Sequence, residues 1–218
     1  KMNTTNLIDK TIVFVKETLA QAEGGHDWFH IERVYKNALL IAASENCDLE
    51  IVQLGALLHD IADSKFHDGD ETIGPKTART FLESENVAPT TIDHVIAIIE
   101  NISFKGGRVE RKFSSIELDI VQDADRLDAI GAIGIARTFN YGGFKNRTLH
   151  NPEIAPNLSM TKEEYKKNEA PTINHFYEKL LLLKDKMNTE TGKQIAQERH
   201  LYMEGFLEQF YAEWEGRK

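Results

Sequence analysis

Apolar residues recur along most of this chain at steps of three and four positions, which is the spacing of one face of an α-helix. The first such stripe runs from Leu7 to Leu19 and ends near the glycine pair Gly24-Gly25. No segment of useful length alternates apolar and polar residues in the way a half-buried β-strand does. The pattern therefore predicts an all-α fold.

The same spacing predicts further helices along the rest of the chain. Their expected bounds are Trp28–Ser44, Leu49–Ala62, Thr72–Glu85, Thr90–Asn101 with Thr90 or Thr91 as its cap, Ser114 or Ser115 through Ile133, His175–Met187 and Thr191–Trp214. The helix from Leu49 is apolar on nearly every side, as a central core helix is. The segment Tyr141–Leu158 is rich in Gly, Asn and Pro, so we expect a long loop there that serves as a lid or pocket wall.

Length and composition favour one domain. The 218 residues suffice for one sizeable hydrophobic core, and no break in composition divides them. A hydrophobic fraction of 41% and a charged fraction of 28% are typical of a globular chain rather than a disordered one. We expect a single helical bundle over residues 2–218, in which C-terminal helices at about 160–218 pack on a core at about 25–140.

Charge and cysteine content narrow the classes of partner and compartment. The formal net charge of -9 argues against binding to a nucleic-acid duplex, which needs clustered Lys and Arg. Cys47 is the single cysteine, so no internal disulfide can form. No run approaches the 18 or so apolar residues of a membrane-spanning helix. We therefore expect a cytoplasmic protein without a membrane partner.

Three segments combine histidine with acidic residues, namely His26–His30, His59–Asp63 and Asp123–Asp128. They fall on different predicted helices, and a helical bundle can project such side chains into one core site. Imidazole and carboxylate together suit Mn, Fe, Co, Ni or Zn better than Mg or Ca. The segments indicate a transition-metal site. The alternative is that these side chains are paired within the core or solvated.

The order of His30, then His59-Asp60, then Asp125 resembles the signature of the HD-domain phosphohydrolase superfamily. The segments containing these residues are similar to one bacterial branch of it, which includes manganese-dependent nucleoside triphosphate pyrophosphohydrolases. The resemblance implies an HD-type helical domain with His30, His59, Asp60 and Asp125 as metal ligands. It also implies Mn as the ion, with Fe, Co, Ni or Zn as alternatives.

Some of these ligand positions have a second candidate residue nearby in the sequence. His30 stands where the family has its first ligand, which leaves His26 as a helix cap or a residue at the rim of a pocket. Asp128 shares a helical face with Asp125 and can support it. For Asp123 a solvated surface position is an equally good interpretation.

Five further residues are candidates for catalysis and substrate binding. Asp63 lies three residues after Asp60, a helical-neighbour spacing that lets it orient or deprotonate an attacking water. Lys65, Arg126 and Lys105 offer the cations that a phosphate group needs. Tyr141 can stack on a base in a nucleotide pocket. The alternative for each is an ordinary surface or loop-anchoring residue.

The resemblance implies hydrolysis of a nucleoside triphosphate to a monophosphate and pyrophosphate, by attack of water at the α-phosphorus. A 5′-nucleotidase or a cyclic-nucleotide phosphodiesterase would use the same metal site, and so would a metal-bound nucleotide-binding module without turnover. The expected partner is a small phosphorylated substrate, most simply a nucleotide. We expect a monomer or a homodimer.

Overall fold

The structure is a computed structural model that describes residues 4–20, 27–62, 70–102, 113–161, 164 and 170–218 of the chain. In these ranges it contains nine α-helices, one 3₁₀-helix and no β-strand, which confirms the predicted all-α fold. The α-helices are α1 Thr4–Thr18, α2 Trp28–Ala42, α3 Leu49–Leu58, α4 Ile73–Ser84, α5 Pro89–Asn101, α6 Ile116–Leu127, α7 Gly131–Phe144, α8 Asn174–Glu178 and α9 Glu190–Trp214. The 3₁₀-helix is Leu180–Lys186.

The chain packs as two compact units, of which the first extends through Asp125 and the second begins at Arg126. The predicted extent of one domain over residues 2–218 stays a prediction. None of the helices in the described ranges combines the length and the apolar character that crossing a membrane requires.

Helix α3 is the centre of the first unit. It packs against α1, α2 and α5. Leu54, Ala56, Leu57 and Leu58 have no exposed surface, and Gly55 between them is also buried. A Cβ atom at Gly55 would lie 3.3 Å from Cδ1 of Ile98, so the glycine permits the close approach of α5. The predicted central core helix is confirmed.

The predicted continuous helix through Ile133 is wrong, because the chain breaks between α6 and α7. Ile130 has an extended backbone, and Gly131 has a φ of 74°, which side-chain-bearing residues rarely adopt. Helix α7 then continues to Phe144, so Tyr141 lies in its last turn and not in the predicted loop. The sequence pattern missed the break because the apolar spacing runs on across it.

Two other predicted boundaries are corrected. Helix α5 begins one residue early, with Pro89 in its first turn and Ala88 as the N-cap, because a helix start does not need the N–H that proline lacks. The helix predicted over His175–Met187 is divided at Lys179, whose φ of -144° and ψ of -58° are not helical, into α8 and the 3₁₀-helix. Ser115 is confirmed as the cap of α6, since its Oγ accepts the N–H of Leu118 at 3.1 Å.

The second unit contains packed aromatic rings and an ion pair whose carboxylate is buried. Phe139 of α7, Phe176 of α8 and Phe206 of α9 have ring centroids between 5.8 and 6.1 Å apart. At the α6–α7 junction, Asp128 Oδ2 lies 2.8 Å from Arg137 Nη1, and the carboxylate is almost fully buried. Packing of large rings and a paired charge therefore fix this unit.

Two glycines of α7 make a matched test of its packing. A Cβ atom at Gly134 would collide with the backbone carbonyl of Ala129. One at Gly143 would have no atom of the described residues within 4 Å. We expect Gly134→Ala to lower the free energy of unfolding by about 1–3 kcal/mol through overpacking. Gly143→Ala should raise it by a few tenths to about 1 kcal/mol, because alanine costs less entropy in a helix. Urea unfolding of both variants gives the comparison, and equal effects would contradict the described packing.

His175 makes the stability of the second unit depend on pH. Burial, assisted by the charges of Lys179 and Arg147, lowers the pKa of His175 from 6.5 to about 4. Between pH 6.5 and about 4, His175 is protonated in the unfolded chain and neutral in the folded chain. The free energy of unfolding therefore falls as the pH drops through this range. We expect His175→Gln to show a shallower fall than wild type when urea midpoints are measured across this range. Parallel curves would contradict the assignment.

Candidate metal centre

His30 is placed by the start of α2. The N-cap residue Asp27 accepts the backbone N–H of His30 on its side chain at 3.0 Å, which satisfies one of the free donors of the first helical turn. The imidazole of His30 is buried, with 3% of its surface exposed. Asp27 is therefore a helix cap, while the competing residue His26 lies outside the described residues.

His59 is placed by the end of α3. The helix ends at Leu58, not at the predicted Ala62, and His59 is its C-cap. In a longer helix the carbonyl of Ala56 would accept the N–H of Asp60. Instead, Nδ1 of the His59 ring lies 2.8 Å from that carbonyl oxygen. The side chain thus replaces the missing helical bond, which is the physical reason for the earlier end.

This contact determines which nitrogen of His59 can bind a ligand. A carbonyl oxygen only accepts, so Nδ1 carries the proton and Nε2 presents its lone pair. Nε2 is buried and has no hydrogen-bond partner among the described residues. A buried imidazole acceptor without a partner costs free energy unless something binds it. A divalent cation fits this position, because metal-bound histidine commonly donates its other N–H to a carbonyl.

Three of the predicted ligands form a cluster in the first unit, and Asp125 lies beside its two histidines. His30, His59 and Asp60 each offer one ligand atom, and these atoms lie within 4.8 Å of one another. Asp125 Oδ1 lies 3.5 Å from His30 Nε2 and 3.8 Å from His59 Nε2. Bonds of about 2.0–2.2 Å place two ligands of one ion at most roughly 4.4 Å apart. Closing the widest separation among His30, His59 and Asp60 therefore requires shifts of only a few tenths of an ångström.

The donor set suits a divalent transition metal. Two imidazoles and two carboxylates supply borderline and hard ligands together. The carboxylates also offset the charge of a cation held beside the two buried imidazoles. The ring centroids of His30 and His59 lie 5.4 Å apart. The His-His-Asp cluster can thus hold a divalent ion, and the identity of that ion stays a prediction.

The acidic neighbours of Asp125 have their own surroundings. Asp123 is completely buried, so the interpretation as a solvated surface residue is wrong. Asp128 is bound by Arg137 through both its side chain and its backbone carbonyl. Neither observation tests the predicted support of Asp125 by Asp128. The partial exposure of Asp125, at 38% of its side chain, leaves this ligand accessible.

Of the five candidates for catalysis and substrate binding, the structure describes two. Asp63, Lys65 and Lys105 lie outside the described residues. In the second unit, a guanidinium N–H of Arg126 donates to the carbonyl of Lys186. Tyr141 is 52% exposed, with the charged ends of Lys145 and Arg147 5.8 and 5.5 Å from its ring centroid. The catalytic and substrate-binding roles of the candidates stay predictions.

Sequence reasoning missed one residue that joins two ligand-bearing helices. The side-chain amide of Asn37, on α2, donates to the carbonyl of Ala124, on α6, at 3.3 Å. Asn37 is buried and lies seven positions after His30, on the same helical face. A polar amide on an apolar face was the available signal, but its partner is distant in sequence.

Comparison with known proteins gives the family of the chain. The model of the HD domain family matches residues 28–130, which contain His30, His59, Asp60 and Asp125. The uncharacterized protein YpgQ of Bacillus subtilis is 39% identical over 199 residues, covering 90% of this chain and 88% of YpgQ. The chain therefore belongs to the HD-domain family.

Solved structures extend the likeness over almost the whole chain. An HD-superfamily hydrolase from Bacillus thuringiensis is 45% identical, with a TM-score of 0.80 over 98% of this chain and 99% of that one. The structure of B. subtilis YpgQ in complex with ADP is 35% identical, with a TM-score of 0.76 over 97% of both chains. Hydrolysis is thus the general activity that the family relationship supports.

The cluster predicts that each chain binds one divalent ion through His59. Loss of a residue that supports a metal ligand typically weakens metal binding by roughly 10- to 100-fold. We expect His59→Ala to weaken Mn²⁺ binding by more than this, because it removes a ligand itself. His94→Ala is the control, since His94 lies outside the cluster with its Nε2 2.9 Å from Ser115 Oγ. Metal content after equilibrium dialysis measures both. Wild-type stoichiometry in His59→Ala would contradict the site.

Proposed function

We propose that this protein is a divalent-metal-dependent phosphohydrolase that converts nucleoside triphosphates to monophosphates and pyrophosphate. The observation that carries the proposal is the cluster of His30, His59 and Asp60 with Asp125 beside the two histidines. Within the described residues, the buried Nε2 of His59 has no hydrogen-bond partner. The family relationship supports hydrolysis. The complex of the related YpgQ with ADP supports a nucleotide as the substrate class.

The ion is held by the two imidazoles and two carboxylates of the cluster, and we propose manganese. When bound, such an ion polarises a phosphoryl oxygen and lowers the pKa of a bound water to roughly 7. The burial of His30 and His59 serves this chemistry, because apolar surroundings strengthen the interaction of ligands with a cation. The exposed part of Asp125 gives the substrate phosphate access to that side of the cluster.

Other residues of the chain take the proton-transfer and binding roles. Asp63 accepts a proton from the attacking water, and Lys65 neutralises charge that builds on the phosphoryl oxygens. Lys105 and Arg126 bind the phosphate chain, since a triphosphate carries several negative charges. Tyr141 presents an aromatic surface for the base. These assignments extend the proposal from the ion to the whole nucleotide.

A panel of nucleotides and phosphoesters tests the reaction class. Metal-stripped protein is supplied with Mn²⁺ and incubated with ribo- and deoxynucleoside triphosphates, nucleoside monophosphates and cyclic nucleotides. We expect pyrophosphate and monophosphate from triphosphates, and no inorganic phosphate. Inorganic phosphate from monophosphates without triphosphate turnover would contradict the proposal in favour of a nucleotidase. Cleavage of cyclic nucleotides alone would indicate a phosphodiesterase.

The Asp63→Asn variant separates an enzyme from a nucleotide-binding module in the same panel. We expect it to keep wild-type Mn²⁺ binding and to lose kcat by about 100-fold or more, the size of a general-base contribution. Asp93→Asn is the control, because Asp93 is an exposed partner of Arg79. Nucleotide binding without turnover in wild-type protein would favour the binding module.

A further inference from the structure

The amide of Asn37 lies buried between two helices that carry metal-site residues. It projects from α2, which bears His30, and its Nδ2 donates to the carbonyl oxygen of Ala124 at 3.3 Å. Ala124 is on α6 and directly precedes Asp125. Asn37 has 9% of its surface exposed, so water does not readily replace this bond.

The carbonyl of Ala124 belongs to the last turn of α6 and has no partner within the helix, since α6 ends at Leu127. The next turn supplies backbone partners to the later carbonyls, with Ala129 N–H donating to Arg126 at 3.1 Å and Ile130 N–H donating to Leu127 at 3.3 Å. For Ala124 the donor comes from another helix. Asn37 thus fixes the end of α6 to α2 through a group that the helix leaves open.

This tether acts on the separation of two ligands. His30 Nε2 and Asp125 Oδ1 lie 3.5 Å apart, a distance that one ion can bridge. Without the Asn37 amide, the buried carbonyl of Ala124 loses this donor, and the turn gains by moving toward solvent. Such a movement changes the position of Asp125 relative to His30, because Asp125 is the adjoining residue of the same turn.

We propose that Asn37 is a positioning residue that sets the distance between His30 and Asp125 and thereby the affinity for the divalent ion. The proposal rests on the metal site of the proposed function but not on the substrate. Residues that orient metal ligands typically contribute about 10- to 100-fold in metal affinity. Asn37 does so through the backbone of α6, without touching the ion.

The test compares Asn37 with a buried amide of the same chemistry. Gln122, also 9% exposed, donates its Nε2 to the carbonyl of Ile102 at 3.0 Å, and so tethers α6 to the end of α5. Mn²⁺ titrations followed by electron paramagnetic resonance of the free ion give affinities without reference to turnover. We expect Asn37→Leu to weaken binding by about tenfold or more, and Gln122→Met to stay within about twofold of wild type.

Melting of the metal-free proteins separates positioning from stability. Each variant loses the buried amide hydrogen bond described above, so we expect decreases in Tm of similar size. If Asn37→Leu does not fold, Asn37→Ala removes the donor without introducing bulk and carries the same expectation. Wild-type affinity in the folded Asn37 variant overturns the proposal, and so does an equal loss of affinity in Gln122→Met.

The titration also distinguishes this proposal from the proposed function. Mn²⁺ binding that depends on Asn37, in a wild-type protein that hydrolyses no nucleotide, supports the positioning role and overturns the phosphohydrolase proposal. Nucleotide turnover by the wild-type protein, with wild-type metal affinity in both Asn37 variants, supports the phosphohydrolase proposal and overturns the positioning role. A wild-type protein that binds no Mn²⁺ overturns both.

Discussion

The hydrogen bond between Nδ1 of His59 and the carbonyl of Ala56 is the interaction on which the site depends. It ends α3 at Leu58, holds the imidazole in one orientation and directs the lone pair of Nε2 toward the other ligands. Without it the ring could rotate, and either nitrogen could carry the proton. The carbonyl of Ala56 lies at the helix end, where backbone acceptors need other donors. Its donor is the imidazole of His59, and metal binding requires this same ring in a fixed tautomer.

Packing around α3 makes this arrangement durable. The C-terminal half of the helix, from Leu54 to Leu58, is buried in the first unit, and Gly55 permits close contact with α5. The end that carries His59 therefore has little freedom. The other candidate ligands lie on elements tied to the same core. His30 is in the first turn of α2, where Asp27 caps the helix, and Asp125 is in the last turn of α6, which Asn37 binds. The site thus uses helix ends, where backbone groups are open to side chains.

Apolar spacing predicted the existence of most helices because packing imposes the helical period on the sequence. It could not predict where a helix ends inside an apolar stretch. The stripe crosses residues 128–130, yet Gly131 adopts a φ of 74° and separates α6 from α7. The end of α3 escaped for a related reason, since a side chain and not a glycine or proline terminates the helix. The burial of Asp123 also could not be predicted, because it depends on surroundings that are distant in sequence.

The sequence by itself determined the all-α class, the family and the residue types that can bind a metal, because each depends on local period or on the identity and order of side chains. Only the tertiary structure decided which atoms meet. It brought Asp125 within 3.8 Å of both His30 and His59 and joined Asn37 to Ala124 across 87 positions of sequence. In the part of the chain that the structure describes, it also left His59 Nε2 without a hydrogen-bond partner. Distances between residues on different helices follow from packing of the whole core, which no local pattern contains.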